Sequence, residues 1–127
     1  MQQNFLACRA RAKKLVLERL AHFTPQYNVT FARVTIKDMV SRWGSCSRRG
    51  NLNFNYRLLF LPPELVDYVV VHEVCHLREM NHSRAFWALV GQTIPDYAAR
   101  KHALRAHAQP RLSFSKLVSI IKTYGPK

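Results

Sequence analysis

The 127-residue sequence predicts an α+β fold, a small antiparallel sheet beside a central helix that carries the reactive side chains. Two segments, residues 29–40 and 52–58, alternate apolar and polar residues as half-buried strands do. The stretch 63–80 is apolar almost all round, which suits a helix covered on several sides. The remaining stretches space their apolar residues as amphipathic helices do, so helices outnumber strands.

The elements follow in order. Residues 4–22 set Phe5, Leu6, Leu15, Val16 and Leu20 on one stripe between Arg and Lys, a helix expected to stop before Pro25. Val29, Phe31, Val34 and Ile36 alternate with Thr30, Arg33, Thr35 and Lys37 in the first strand. Residues 41–50, rich in Ser, Gly and Arg, read as a turn. Within that turn, Trp43, Gly44 and Ser45 either shape a cleft or plug the core, and the core is favoured for Trp43 because aromatic side chains dominate buried area. Leu52, Phe54, Tyr56 and Leu58 then form a second strand. Pro62-Pro63-Glu64 opens the central helix, proline being tolerated in the first turn and an acid there favouring the helix dipole. This helix is expected to reach about Met80. Ser83 caps a further helix with Phe86, Trp87, Leu89 and Val90, and Asp96 caps another through about Ala106. After Pro110, the residues Phe114, Leu117, Val118, Ile120 and Ile121 have helical spacing.

A chain of this length supports one core, so a single domain over residues 1–127 is expected. Its 48% hydrophobic and 21% charged residues exclude a disordered chain. No stretch approaches the roughly 20 apolar residues that cross a bilayer, and Arg9, Arg11, Lys13 and Lys14 interrupt any signal-like segment. A cytoplasmic protein without a membrane partner is expected. Cys8, Cys46 and Cys75 form no C-x-x-C pair and are odd in number, so reduced, mostly buried thiols are expected. The formal charge of +13 draws polyanions, which makes non-specific nucleic acid an expected partner class. The basic residues are dispersed, as on a solvated surface.

The chemistry concentrates in His72-Glu73-Val74-Cys75-His76. On a helix of 3.6 residues per turn, the two imidazoles lie one turn apart on one face and reach one metal ion. Glu73, rotated by about 100° from His72, is placed to act as general base on water without being a ligand. Two imidazoles and a carboxylate on so apolar a helix are costly to bury without such a partner. A hydrolytic zinc site needs three protein ligands and one open position. His82 is the leading third candidate, with Glu79 and Asp96 as rivals. On a continuous helix His82 would fall about 240° round from His76, so the chain must turn between them, and Asn81 tolerates the left-handed conformation that ends helices.

The run Ser41-Arg42-Trp43-Gly44-Ser45-Cys46, then Leu52-Asn53-Phe54, Pro62-Pro63-Glu64, Asp67-Tyr68-Val69, the His72–His76 motif and Asn81-His82-Ser83 with Phe86-Trp87 resembles the YgjP-like metallopeptidase family. The likeness covers about residues 5–108. It implies a minimal zincin-like domain, zinc (Zn2+) on His72, His76 and His82, and a looser relation to SprT-type proteases. Members of the family usually carry a strand-rich segment ahead of the first helix, whereas this sequence opens on the helix.

The expected activity is therefore hydrolysis of a peptide or protein substrate, Glu73 taking the proton of a zinc-activated water and passing it to the leaving amine. An extended substrate would add to a sheet edge, for which residues 53–57 are the candidate. Tyr56, Arg57, Tyr97 and His102 are open candidates for oxyanion stabilisation. Two other functions compete. Nucleotide pyrophosphate hydrolysis suits the cationic surface and a pyrophosphatase assignment carried by some relatives, but no phosphate-cradling glycine loop accompanies it. A nucleic-acid-associated protein with structural zinc would not need Glu73.

Overall fold

The computed structural model describes residues 2–107, with side chains from residue 4; the expected helix through Phe114 to Ile121 lies outside the described residues. The elements run α1 (Gln2–Tyr27), β1 (Arg33–Lys37), β2 (Gly44–Cys46), β3 (Asn51–Asn55), a 3-10 turn (Tyr56–Phe60), α2 (Pro63–His76), α3 (Arg84–Thr93) and α4 (Tyr97–Arg105). Among the described residues this is the expected α+β arrangement, a three-stranded sheet with four helices.

Helix α1 buries Ala12, Val16, Leu20, Phe23 and Tyr27, residues three or four apart that form one stripe. The stripe carries the helix past Pro25, where the sequence suggested a stop. Proline removes only one hydrogen bond so close to the end, and the Tyr27 hydroxyl is held 2.6 Å from both the Leu89 carbonyl and Thr93 Oγ1 on α3. The helix closes instead at Asn28, whose φ of 53° is the left-handed cap conformation that Asn tolerates. Arg19 grips both carboxylate oxygens of Asp67 at 2.7 and 3.0 Å, fastening α1 to α2.

The sheet order is β1-β3-β2, with β3 parallel to β1 and antiparallel to β2. The sheet is thus mixed, not wholly antiparallel as expected. The reason is β2, which lies inside the segment read as a turn: the chain reverses before and after it, so β3 runs in the direction of β1 and slots between the two. Gly50, at φ 84°, permits the tight return from β2 to β3. The inward residues Val34, Ile36, Leu52 and Phe54 are buried, as the alternation requires. The second strand ends three residues earlier than expected. Asn55, fully buried, accepts a bond from Arg57 N through its side chain and diverts the chain into the 3-10 turn.

Helix α2 is the centre of the molecule, touching α1, α3, α4 and β2. Ten of its fourteen residues are buried, from Leu65 and Val66 to Cys75 and His76. It ends at His76, short of Met80. The reversal uses turns at residues 77–79, where Arg78 N and Glu79 N both donate to the Cys75 carbonyl. Asn81 does not take the left-handed conformation expected of it. Ser83 caps α3 as expected, its Oγ accepting from Phe86 N at 3.3 Å. Asp96 precedes α4 but makes no capping bond, its carboxylate being taken by Arg100 Nε at 3.2 Å. No helix among the described residues is long and apolar enough to cross a membrane. Cys75 is buried, Cys8 and Cys46 are half-buried, and all three are free thiols.

Candidate metal centre

His72, Glu73 and His76 come from the last turns of α2, and His82 comes back to them from the connection to α3. The Nε2 atom of His82 lies 3.0 Å from that of His76 and 3.1 Å from that of His72. The three rings surround Phe86, which stacks on His76 at 4.3 Å between centroids and meets the other two edge-on. Exposure rises across the set, His76 being buried, His72 half-buried and His82 open to solvent. One side of the cluster is therefore accessible.

The outward nitrogens have partners that set the tautomers. His76 Nδ1–H donates to the Glu79 carbonyl at 2.9 Å, and His72 Nδ1–H donates to Glu73 Oε2 at 3.0 Å. With those protons assigned, the Nε2 lone pairs of both rings face the common centre. Burial, chiefly, and the neighbouring histidines hold His76 and His82 below the ordinary imidazole range, so the neutral forms are favoured. Converging lone pairs repel unless a cation lies between them. Imidazoles bound tetrahedrally to a divalent ion at about 2.0–2.1 Å have nitrogens about 3.3 Å apart, close to the two separations from His82, and all three ligand atoms lie within 4.8 Å of one another. The donor set fits a metal ion.

Glu73 is 4% exposed, and β2 is its wall. A β-carbon on Gly44 would lie 3.1 Å from Glu73 Cγ and 3.2 Å from both Glu73 Oε2 and the Asn53 carbonyl, so the strand approaches the carboxylate this closely only with glycine there. Two cavities flank the carboxylate. One, of about 280 Å³, is lined by Trp43, Tyr68, Leu104 and the basic residues Arg42, Lys101 and Arg105. The other, of about 270 Å³, lies towards Cys46, Met80 and His82. Arg42, Gly44, His72 and Glu73 border both, so together they form one cleft across the site.

A model of the YgjP-like metallopeptidase domain matches residues 4–107. The chain belongs to the YgjP-like metallopeptidase family. A solved structure similar to this YgjP-like metallopeptidase is the metallopeptidase zymogen of Pyrococcus abyssi abylysin, with a TM-score of 0.64 at 22% identity over 70% of this chain and 90% of that one, a likeness of fold. No curated protein matches the chain significantly.

Within this family member, the other residues singled out by the sequence divide clearly. Glu79 contributes its carbonyl to His76, and Asp96 pairs with Arg100; neither joins the imidazole cluster. Tyr56 is packed into the core against Phe5, and Arg57 is paired with Asp38 at 2.7 Å. Tyr97 stacks on Trp87 at 5.1 Å, and His102 is beside it on the outer side of α4. None of these four borders the two cavities beside Glu73. The segment 53–57 is no edge, because β3 is the central strand; the edge nearest the site is β2. Trp43 is half-buried, packed on the core and also lining the cleft. Tyr68, to which the sequence pattern assigns no role, lies four residues before His72 and so on the same helical face. Burial, with Glu73 adding to it, pushes its hydroxyl up to about 12, which keeps it a proton donor.

Proposed function

We propose that this YgjP-like metallopeptidase cleaves peptide bonds with zinc held by His72, His76 and His82 and with Glu73 as general base. The observation that carries the proposal is the convergence of three imidazoles, His82 Nε2 lying 3.0 Å from that of His76 and 3.1 Å from that of His72 and all three ligand atoms within 4.8 Å of one another, beside a buried carboxylate on an open cleft. Neutral imidazoles in a three-plus-one arrangement suit zinc at neutral pH. Zinc there would supply Lewis acidity, polarising the scissile carbonyl and lowering the pKa of water. The bond from His72 Nδ1–H aims Glu73 Oε2, and Gly44 holds the same carboxylate from the other side. Glu73 thereby takes a proton from water and delivers it to the departing amine. Strand β2, at the sheet edge and bordering both cavities, is positioned to pair with an extended substrate backbone.

Zinc analysis and a peptidase assay on wild type and Glu73→Gln test the proposal together. The variant keeps one zinc per chain and loses cleavage. Loss of the metal in Glu73→Gln would assign that residue a different role, and absence of stoichiometric zinc after reconstitution would reject the centre altogether.

The reading treats the chain as a single domain, and the free cysteines favour a reducing compartment such as the cytoplasm. The charge of +13 supports a second role, in which nucleic acid recruits the enzyme without sequence preference. DNA binding that falls steeply with salt, together with DNA-stimulated proteolysis, is the expected signature.

A further inference from the structure

The cavity beside Glu73 on the α4 side has a chemistry that hydrolysis alone does not require. Its lining combines the apolar faces of Trp43 and Leu104 with three cations, Arg42 on one wall and Lys101 and Arg105 on the other. Lys101 and Arg105 are four residues apart in α4 and share a face. None of the three is in an ion pair among the described residues. Lys101 Nζ lies 4.8 Å above the Trp87 ring, an aromatic partner that leaves its positive charge uncompensated. Tyr68 also lines the cavity, is 4% exposed, and has no hydrogen-bond partner among the described residues. A buried phenol without an acceptor is costly. Among the described residues, the only acid on this lining is Glu73 itself.

We propose that this cavity is a substrate subsite for a carboxylate, supplied by an acidic side chain or by the end of the peptide itself. The proposal rests on the peptidase reading above and specifies its substrate class. A carboxylate oxygen would satisfy the Tyr68 hydroxyl, while Lys101 and Arg105 neutralise the charge and Trp43 and Leu104 cover the aliphatic part of the residue. A volume of about 280 Å³ takes one side chain, not a folded segment. The subsite borders Glu73 and His72, so the residue it holds is adjacent to the scissile bond.

The test uses three peptides of otherwise equal sequence on the zinc-loaded full chain. One has an internal Glu and an amidated end, one a neutral residue and a free end, and one is neutral and amidated. Cleavage is followed with wild type, and binding is followed by tryptophan fluorescence with Glu73→Gln. At least one carboxylate peptide is expected to be favoured over the neutral amide by about tenfold or more, the scale of a charge-assisted hydrogen bond. The favoured arm identifies the source of the carboxylate. The Lys101→Gln/Arg105→Gln variant should reduce that ratio below about threefold, whereas Arg9→Gln, exposed on α1 and outside the lining of both cavities, should keep it. Cleavage of all three peptides at equal rates and with equal affinity would overturn the subsite and leave the peptidase standing. Selective binding without any cleavage would keep the subsite and reject the peptidase. Binding of a nucleoside triphosphate with no discrimination among the peptides would overturn the subsite in favour of a phosphate site.

Discussion

Gly44 and Glu73 are in contact so close that a single methyl group on the glycine would lie 3.1 Å from the Glu73 Cγ and 3.2 Å from its carboxylate Oε2. The opposing Asn53 carbonyl is backbone in a central strand, so the strand cannot simply recede. Gly44→Ala is therefore expected to turn Glu73 away from its bond with His72. Proteolytic kcat should fall by at least about tenfold while zinc content stays near one per chain, because the nearest side chain to a β-carbon on Gly44 is that of Glu73 and not one of the three imidazoles. Unchanged kcat would show that the carboxylate has more freedom than this contact implies.

His82 is the exposed member of the imidazole set, so it can be removed with little cost to packing. His82→Ala should shift the unfolding free energy of the metal-free protein by less than about 0.5 kcal/mol, as surface substitutions do. It should also weaken zinc binding by more than about 100-fold, beyond what loss of an outer partner causes. Competition with a chelator measures the second quantity and denaturant titration the first.

Alkali should destabilise the fold in a defined window. Burial pushes Cys75 up to about 11 and, as the larger influence in each case, Tyr27 and Tyr68 up to about 12. The folded chain therefore holds these protons more tightly than the unfolded chain. The stability they contribute is complete below about pH 9 for the thiol and pH 10 for the phenols, and it is lost as pH rises through the folded values. Thermal midpoints should be level from pH 7.5 to 9 and fall progressively towards pH 12.

Tyr27→Phe isolates the link between the end of α1 and α3. The ring stays in the core while the bonds to the Leu89 carbonyl and Thr93 Oγ1 disappear. The expected loss is about 1–2 kcal/mol, a hydrogen bond removed together with partners left buried. Urea titration of wild type and variant reports it directly.

Much of this architecture was legible in the chain because its signals are local. The apolar run of α2, the alternation around Val34 and Phe54, and Ser83 before α3 depend only on residues that are neighbours in sequence. The His72–His76 spacing likewise brings two rings together through helix geometry alone. What escaped depends on distant contacts. Pro25 stays inside α1 because Tyr27 is anchored 62 residues away. Strand β2 looks like a turn until β3 pairs with it, and Gly44 gains its meaning only when Glu73 packs against it. Lys101 and Arg105 are ordinary surface charges in sequence and acquire a common target through the packing of α4 on α2. Tyr68 was obscured by its surroundings, one polar group in a helix whose apolar character dominates.

Asn55 has an effect that reaches beyond the strand it terminates. Its side-chain amide donates to the carbonyls of Met39 and Arg42 at 3.0 and 2.9 Å, and its backbone N–H donates to the Trp43 carbonyl at 2.9 Å. One fully buried residue thus immobilises a stretch of irregular backbone that leads directly into the cleft wall. The conformational entropy of that stretch is surrendered when the protein folds and is not charged again to each turnover. The wall meets its ligand already in shape, and selectivity is decided by fit more than by the work of ordering a loop.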